Sequence, residues 1–409
     1  FGRNATGGLI HVITRDPSFD PMFKASLGYA NYNRVDGSAY VSTGVTSNLA
    51  IDTAVSFYSQ ADGWGTNILS GKDIYKGKSI AVRSKILWEP GDQTRIILAG
   101  DYSYSKDSFS SPRSVPPGAI DRAGETYIGK RFDIRGNHEP ISSVSTGGGS
   151  LRIEQGVGFG DIVSITAYRS SAMRLFYDQD GTSVDFSEIR YVQPEHQFTQ
   201  ELQLQSPAGN AFQWIVGGFF LKSRSSVDPL TFKGLTIAPF GGLRELYADL
   251  DSRSLAVFAQ ATVPVTDSTN VTGGIRYTKD KRELQGFYLQ PFGTPTILLP
   301  TDTSAKYSKV TYRLAVDQKL GPDVLAYASL SRGYKAGIFN TTNLANPPAR
   351  PETLDAYEVG VKSELFDRKL RFNVAGFLYK YKDIQLNQVQ GAVNFLFNAA
   401  RAETYGFGV

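Results

Sequence analysis

The stretch KYSKVTYRLAVDQKL, residues 306–320, alternates apolar and polar side chains with a period of two. The apolar side chains on one face are Val310, Tyr312, Leu314 and Val316. The side chains on the opposite face are Lys309, Thr311, Arg313 and Asp317. Because successive side chains of a β-strand point to opposite faces, this pattern predicts a strand with one apolar and one polar face. The same alternation recurs at 80–88, 197–205 and 254–263, so the sequence predicts an all-β protein.

The connections between these strands alternate in length along the chain. The short ones lie at 46–48, 89–92, 156–160, 207–210, 265–268, 320–322 and 366–369. The long ones lie near 61–78, 105–146, 176–195, 224–251, 280–305 and 334–353, and only the first connection of this set, near 33–36, is brief. Short turns at one rim and long loops at the other are typical of outer-membrane barrels. The pattern therefore predicts a transmembrane antiparallel up-and-down β-barrel with about sixteen strands.

Two tryptophans agree with this interpretation. Trp88 and Trp214 both stand beside short connections, which predicts that they lie at the same end of the barrel. Aromatic residues form girdles at membrane interfaces. Taken one at a time, each tryptophan is better explained by the packed core of a soluble sheet, and it is their shared end that favours the barrel.

Composition excludes several classes of function. The chain has no cysteine, so it has neither disulfides nor a thiolate metal site. Its net charge of +4 is carried by dispersed basic residues, which does not favour nucleic acid. The three histidines are scattered and no Gly-x-Ser-x-Gly elbow is present, so the sequence predicts no enzyme, no metal site and no cofactor.

Four patches carry a resemblance to a known family. They are FGRNATGGLIHVITRDP at 1–17, SRGYKAGIFN at 331–340, the stretch 351–386, and RAETYGFGV at 401–409. In this order they resemble TonB-dependent outer-membrane receptors, in which the first patch would be the closing segment of the plug domain. That family has 22-stranded barrels, so the resemblance implies an internal fragment. Residues 1–20 would be the C-terminal end of the plug, and residues 21–409 an incomplete barrel.

The resemblance also implies a contact between plug and barrel. Family members hold plug arginines against barrel glutamates, which points to Arg3 with Glu201, Glu358 or both. The two glutamates lie on inward positions of their strands. The alternative is a solvated Arg3 beside two ordinary lumen carboxylates. Three glycines, Gly2, Gly7 and Gly8, are assigned to backbone turns of the plug. The run GRNATGG lacks the lysine and the following helix of a phosphate loop.

Ligand capture is expected in the long loops and the upper inner wall. The candidate residues are Tyr127, Lys130, Arg131, Tyr177, Arg332, Tyr334 and Lys335. Aromatic and cationic groups together suit an anionic iron chelate, but they equally suit sugars or aromatic acids. Taken one at a time, each of these residues is better explained as a solvated loop position. The resemblance implies active uptake, most often of a ferric siderophore, by a receptor in the Gram-negative outer membrane. Its partners would be the inner-membrane TonB complex and outer-membrane lipid.

Three alternatives stay open at this point. A passive sixteen-stranded porin would need no plug remnant, against which the first patch argues. The substrate could be haem, cobalamin, an oligosaccharide or an aromatic compound instead of a siderophore. A soluble all-β propeller would require repeats of about 40 to 50 residues, and the hairpin spacing shows no such signature.

Overall fold

The computed structural model describes residues 6–8, 10–109, 115–390 and 393–409, the side chain of Phe240 excepted. The strands of the main sheet are β1 (Met22–Ala30), β2 (Arg34–Thr46), β3 (Leu49–Gln60), β6 (Gly77–Gly91), β7 (Thr94–Asp107), β8 (Ile141–Gly156), β9 (Asp161–Asp178), β10 (Glu188–Gln205), β11 (Gln213–Lys233), β12 (Leu243–Thr266), β13 (Thr269–Gln290), β14 (Thr296–Gly321), β15 (Val324–Lys335), β16 (Glu352–Leu365), β17 (Leu370–Gln390) and β18 (Val393–Gly408). A separate hairpin comprises β4 (Gly65–Asn67) and β5 (Lys72–Ile74), and a 3-10 helix spans Leu235–Phe240.

The main sheet has sixteen strands, and each pairs antiparallel with the strands before and after it in the sheet. This confirms the all-β, up-and-down prediction and the predicted number of strands. At the short-turn end the connections have two to seven residues, whereas the longest ones, 61–76, 108–140 and 336–351, all lie at the other end, as the parity of the sequence predicts. The connections 31–33 and 291–295 at that other end are also brief. None of the helices in the described residues is both long enough and apolar enough to span a membrane.

Strands continue further than expected at the long-connection end. The predicted excursions 224–251 and 280–305 are wrong as loops, because only 234–242 separates β11 from β12 and only 291–295 separates β13 from β14. The last strand likewise begins at Val393, well before the expected position near 404. Main-chain pairing therefore persists where the lipid-facing alternation has stopped.

The two faces of the sheet differ as the sequence predicts. On β12 and β14 the outward positions are apolar and exposed, for example Val257 at 59% and Leu314 at 50%. The inward positions between them are small or polar and buried, for example Ser254 and Thr311, each 1% exposed. An apolar outer band around a polar interior is the arrangement that lipid outside and water inside require.

Between the apolar band and the long-connection end, the polarity of the two faces reverses. Inward positions of β12 and β13 become apolar there, and Leu246 and Leu284 are buried in a cluster with Phe339 and Leu344 of the 336–351 connection. Outward positions at the same level are charged, such as Asp251. The reversal explains why the sequence pattern of a lipid-facing strand stops before the strand itself does.

Contacts of the N-terminal segment show that the sheet curves. The hydroxyl of Tyr381 on β17 donates to the carbonyl of Thr6 at 3.0 Å, and Nζ of Lys85 on β6 donates to the carbonyl of Thr14 at 3.2 Å. Eight residues of extended chain reach about 28 Å. In a flat sheet β6 and β17 would lie eleven strand spacings apart, which is about 53 Å. The sheet therefore wraps around this segment.

Trp88 lies on the outward set of β6, in register with Leu49 and Ile96, directly before the β6–β7 turn. Trp214 takes the corresponding place on β11 beside the turn from β10, in register with Ala261. Both tryptophans therefore lie at the short-turn end, as predicted.

The stability cost of a charge at two different depths tests the position of the apolar outer band in the membrane. We expect Leu314→Arg to destabilise the barrel by about 2–4 kcal/mol, because it puts a charge in the middle of the apolar band. The matched change Leu320→Arg, at an exposed position beside the β14–β15 turn, should cost only about 0–1 kcal/mol. The measurement is denaturant unfolding in lipid vesicles. Equal costs at the two positions would contradict the assigned membrane depth.

Candidate functional site: the inner wall and mouth of the barrel

Residues 10–21, here called the connector, lead into β1 along the inner wall. The carboxylate of Asp16 lies 2.9 Å from Nζ of Lys85 and 2.7 Å from a guanidinium nitrogen of Arg95. Nζ of Lys85 also donates to the carbonyls of Thr14 and Arg15. One connector carboxylate and two connector carbonyls thus hold two inward cations of β6 and β7.

Electrostatics favour this attachment in its charged form. Burial alone would raise the pKa of Asp16, but the hydrogen bonds and charges of Lys85 and Arg95 outweigh burial and hold that pKa below its ordinary value. Arg95 is further surrounded by Glu89 at 3.3 Å and Glu154 at 3.8 Å. A partly buried pair with charge-assisted hydrogen bonds is stronger than an exposed one.

Main-chain and apolar contacts complete the attachment. The amide of Ser18 donates to Oγ of Ser42, and the amide of Gly44 donates to the carbonyl of Phe19 at 2.9 Å. A Cβ at Gly44 would lie 2.9 Å from that carbonyl oxygen, so the close approach needs glycine. Phe19 itself packs against the buried cluster that includes Leu87. The connector is therefore fixed to β2, β3, β6 and β7.

The residues predicted for a plug–barrel contact are only partly within the described structure. Arg3 and Gly2 lie outside the described residues. Glu201 and Glu358 both occupy inward positions, where Glu201 accepts a hydrogen bond from Gln203 and Glu358 accepts one from the hydroxyl of Tyr327 at 2.6 Å. Their pairing with Arg3 stays a prediction.

The two described plug glycines differ in their geometry. Gly8 has a φ of 106°, a conformation that favours glycine, and so fits the backbone role assigned to it. Gly7 has open space around its Cα, so a side chain would fit there sterically.

The predicted ligand residues in the long connection near 105–146 differ in their contacts. Tyr127 is buried, and its hydroxyl donates to the carbonyls of Lys130 and Asp133. Lys130 and Arg131 are exposed, and the guanidinium of Arg131 lies 5.6 Å from the ring centre of Phe132. Tyr127 thus organises the loop, whereas Lys130 and Arg131 present charge to solvent.

The remaining predicted ligand residues separate into two groups. Tyr177 packs against the apolar cluster at the barrel mouth, where burial raises its pKa, and Tyr334 is completely buried beside the partly buried Lys335. Arg332 instead lies on the outer face, where it forms a two-pronged contact with Asp355 at 2.6 and 2.8 Å and covers the ring of Tyr312. The structure does not bring these residues together into one surface.

Sequence reasoning missed a column of cations on the inner wall of β12, β13 and β14, here called the inner cation column. Its members are Arg244, Arg276, Arg282, Lys309 and Arg313. Aromatic rings lie among them: Arg244 sits 4.0 Å from the ring centre of Tyr288, and Arg276 sits 5.5 Å from that of Phe258. The signal was present in the polar face of the 306–320 strand, which carries Lys309 and Arg313.

A carboxylate joins two loops at the mouth. Oδ1 of Asp178 accepts from the amides of Asp180 and Gly181 at 3.0 Å, and Oδ2 accepts from the amide of Asn137 at 3.2 Å. Burial raises the pKa of Asp178 to about 7 and the charge of Asp180 adds to this, while the amide donors oppose it. This group therefore titrates near neutral pH.

One cluster has the composition of a metal site but the contacts of an ion-pair network. Ligand atoms of His138, Asp185 and Glu188 lie within 4.8 Å of one another. Glu188, however, already pairs with Arg190 at 2.7 Å and with Lys233 at 3.4 Å. These two cations supply the positive charge that a metal ion would otherwise provide.

Comparison with known proteins identifies the family. The model described as TonB dependent receptor-like, beta-barrel, matches residues 18–407. This chain belongs to the TonB-dependent receptors. Membership places it in the outer membrane of Gram-negative bacteria, in a family of transport receptors.

The individual proteins that match this chain share only a minority of its residues. Over 158 residues it is 27% identical to the pesticin receptor of Yersinia enterocolitica, covering 38% of this chain and 23% of that protein. Its fold matches the ferric yersiniabactin uptake receptor from Yersinia pestis with a TM-score of 0.81 and 18% identity, over 99% of this chain and 61% of that chain. The ferric-catecholate import receptor from E. coli K12 matches with a TM-score of 0.72 and 16% identity, over 99% and 64%. The chain therefore spans less than two thirds of the length of these relatives.

Removal of the connector carboxylate tests the attachment of the connector. We expect Asp16→Asn to speed hydrogen exchange at the amides of Ser18 and Gly44 by on the order of tenfold, because Lys85 and Arg95 lose their shared counter-charge. The matched control is Asp20→Asn, since Asp20 is exposed and lies four residues further along the same segment. Exchange is measured by mass spectrometry of the purified receptor. Unchanged exchange in the Asp16 variant would show that the ion pairs do not hold the connector.

Titration of Asp178 tests the contact between the mouth loops. Because the folded pKa of Asp178 is raised from its ordinary value of 3.8 to about 7, stability falls as pH rises between these two values and stays at its lowest above about pH 7. After correction for intrinsic rates, the Asn137 amide should be better protected at about pH 5.5 than at about pH 8.5. Asp178→Asn should remove this difference. The Gly156 amide, bonded to the Gln93 carbonyl at the opposite rim, serves as an internal control. Greater protection at the higher pH would contradict the assigned direction.

Proposed function

We propose that this chain forms most of the barrel of a receptor that actively imports an anionic ferric siderophore. The observation that carries the proposal is the inner cation column with its interleaved aromatic rings. Guanidinium and ammonium groups bind the oxygen-rich surface of an anionic chelate, and aromatic rings stack on its planar groups. Related folds include receptors named for ferric yersiniabactin and ferric catecholates, which supports the same class of ligand.

The inner cation column offers a graded path from mouth to bore. Arg244 lies near the loop end of β12, whereas Arg313 lies at the level of the apolar band on β14. Lys309 and Arg313 have no carboxylate within ion-pair distance among the described residues. Their charge is therefore available to a ligand that enters from the mouth, where the exposed Lys130 and Arg131 would meet it first.

Energy for transport would come from the inner-membrane TonB complex, acting on the plug. The chain division that we propose puts the plug end at residues 1–20 and the barrel at 21–409. The contacts of Asp16 and Phe19 fix the connector to the wall, so a pull would displace the plug upstream of Thr14 first. A contact of Arg3 with Glu201 or Glu358 would then be one of those that break.

A passive porin is the other function considered for a sixteen-stranded sheet. Its bore would be open, whereas the segment from Thr6 to Phe19 contacts inward side chains on strands as far apart as β6 and β17. Chain held across the interior favours a gated receptor. No observation on the described residues favours the porin.

Charge removal inside the bore tests the proposed ligand class. We expect Lys309→Gln with Arg313→Gln to weaken binding of an anionic ferric chelate to the full-length receptor by about tenfold or more, because charged hydrogen bonds contribute about 1.5–3 kcal/mol each. The control is Lys380→Gln, at an exposed outward position of β17. Binding is measured by fluorescence quenching and uptake by radioactive iron. Unchanged binding of the anionic chelate by the double variant, or an equal loss in the Lys380 control, would refute the proposed ligand class.

A further inference from the structure

Four cations form a continuous row on the outer face of the barrel, here called the outer cation row. Its members are Lys222 on β11, Arg253 on β12, Lys281 on β13 and Lys306 on β14. Each is the direct register partner of the next. Adjacent strands lie about 4.8 Å apart, so the row places four positive groups within about 15 Å.

Carboxylates neutralise only part of this row. Lys281 pairs with Glu283 at 2.6 Å. Asp251, the carboxylate one step higher on β12, is engaged by Arg224 at 2.6 Å. In the part of the chain that the structure describes, neither Lys222 nor Arg253 nor Lys306 has an acidic partner within ion-pair distance. The charge of Asp251 also acts on Lys222 and Arg253, from beyond ion-pair distance. Like charges directly opposite each other on a sheet are still destabilising, so an external anion bound across the row would stabilise it.

The level of the row identifies where that anion lies. Toward the short-turn end, the next outward residues are Phe220 on β11 and Leu255 on β12, whereas on β13 and β14 they are Lys279 and Ser308. On those two strands the exposed apolar residues Tyr277 and Val310 come one step later. The cations therefore lie one or two outward steps, about 7–14 Å of strand, above the hydrocarbon-facing surface. They are at the long-loop end, which in this family faces the cell exterior.

We propose that the outer cation row binds the phosphate groups of a phosphorylated glycolipid in the outer leaflet. Clustered cations next to an apolar surface recognise anionic lipid headgroups. The phosphates would bridge neighbouring cations of the row, and the acyl chains would lie on the apolar band below it. The headgroup would bind in a groove of about 450 Å³, which is lined in part by Arg253, Leu255, Lys279 and Lys306. This site is on the lipid-facing surface and is independent of the siderophore path inside the bore.

The test compares lipid binding by the full-length receptor and two charge variants. The row variant carries Lys222→Gln, Arg253→Gln, Lys281→Gln and Lys306→Gln. The control variant carries the same loss of charge at the opposite rim, Lys319→Gln, Arg368→Gln, Lys369→Gln and Arg371→Gln. Native mass spectrometry in detergent measures binding of diphosphorylated lipid A, and heat modifiability on gels verifies that each barrel is folded.

Each outcome decides the proposal. We expect the row variant to bind diphosphorylated lipid A at least about tenfold more weakly, the control variant to bind normally, and dephosphorylated lipid A to bind poorly to all three proteins. Equal binding by the row variant, or an equal loss in the control, overturns the site. Wild-type binding of soluble pyrophosphate as tight as that of lipid A would overturn the assignment to a membrane lipid. Retained iron uptake in the row variant would show that it acts separately from transport.

Discussion

The structure depends on one constraint: inside a bilayer, every backbone N–H and C=O must find its partner in the protein. The strands of the main sheet from β2 to β17 meet this requirement by antiparallel pairing with a neighbour on each side, with only local bulges such as those near Pro264 and Gly286. Since pairing is between neighbours in sequence, each turn must return the chain to the adjacent place in the sheet. Side chains are then free to differ on the two faces, because they take no part in the ladder.

That freedom explains both the success and the limits of sequence reasoning. The alternation in 306–320 correctly separates Leu314, which faces outward, from Arg313, which faces inward, because lipid and water impose opposite demands on the two sides. Above the bilayer the demand changes, so Leu246 faces inward and Asp251 faces outward. Hydrophobic patterning alone therefore could not define the ends of β11 to β14, while hydrogen bonding carries those strands onward.

The alternation of apolar and polar residues could not predict contacts between segments that lie far apart in the sequence. Nothing near Asp16 in the sequence indicates that Lys85 and Arg95 will flank it, because that proximity arises only when the sheet has wrapped. Individual loop residues were similarly underdetermined. Tyr127 and Tyr334 are aromatic residues in a suitable region, yet both side chains are buried. Arg332 pairs with Asp355 on the outer face.

The position of the connector has a mechanical consequence for a receptor of this kind. Its ion pairs and main-chain hydrogen bonds converge on β2, β3, β6 and β7, which are themselves held by neighbouring strands on both sides. A force that pulls on the plug is thus transmitted to a wall that cannot unzip locally without breaking many ladder bonds. Upstream of Thr14 the described contacts are fewer, and the bond from Tyr381 to Thr6 is a single neutral hydrogen bond. A net contribution of about 1 kcal/mol for such a bond makes it the weaker of the two described attachments, so under the proposed mechanism displacement would begin on the β17 side while the connector stays attached to the barrel.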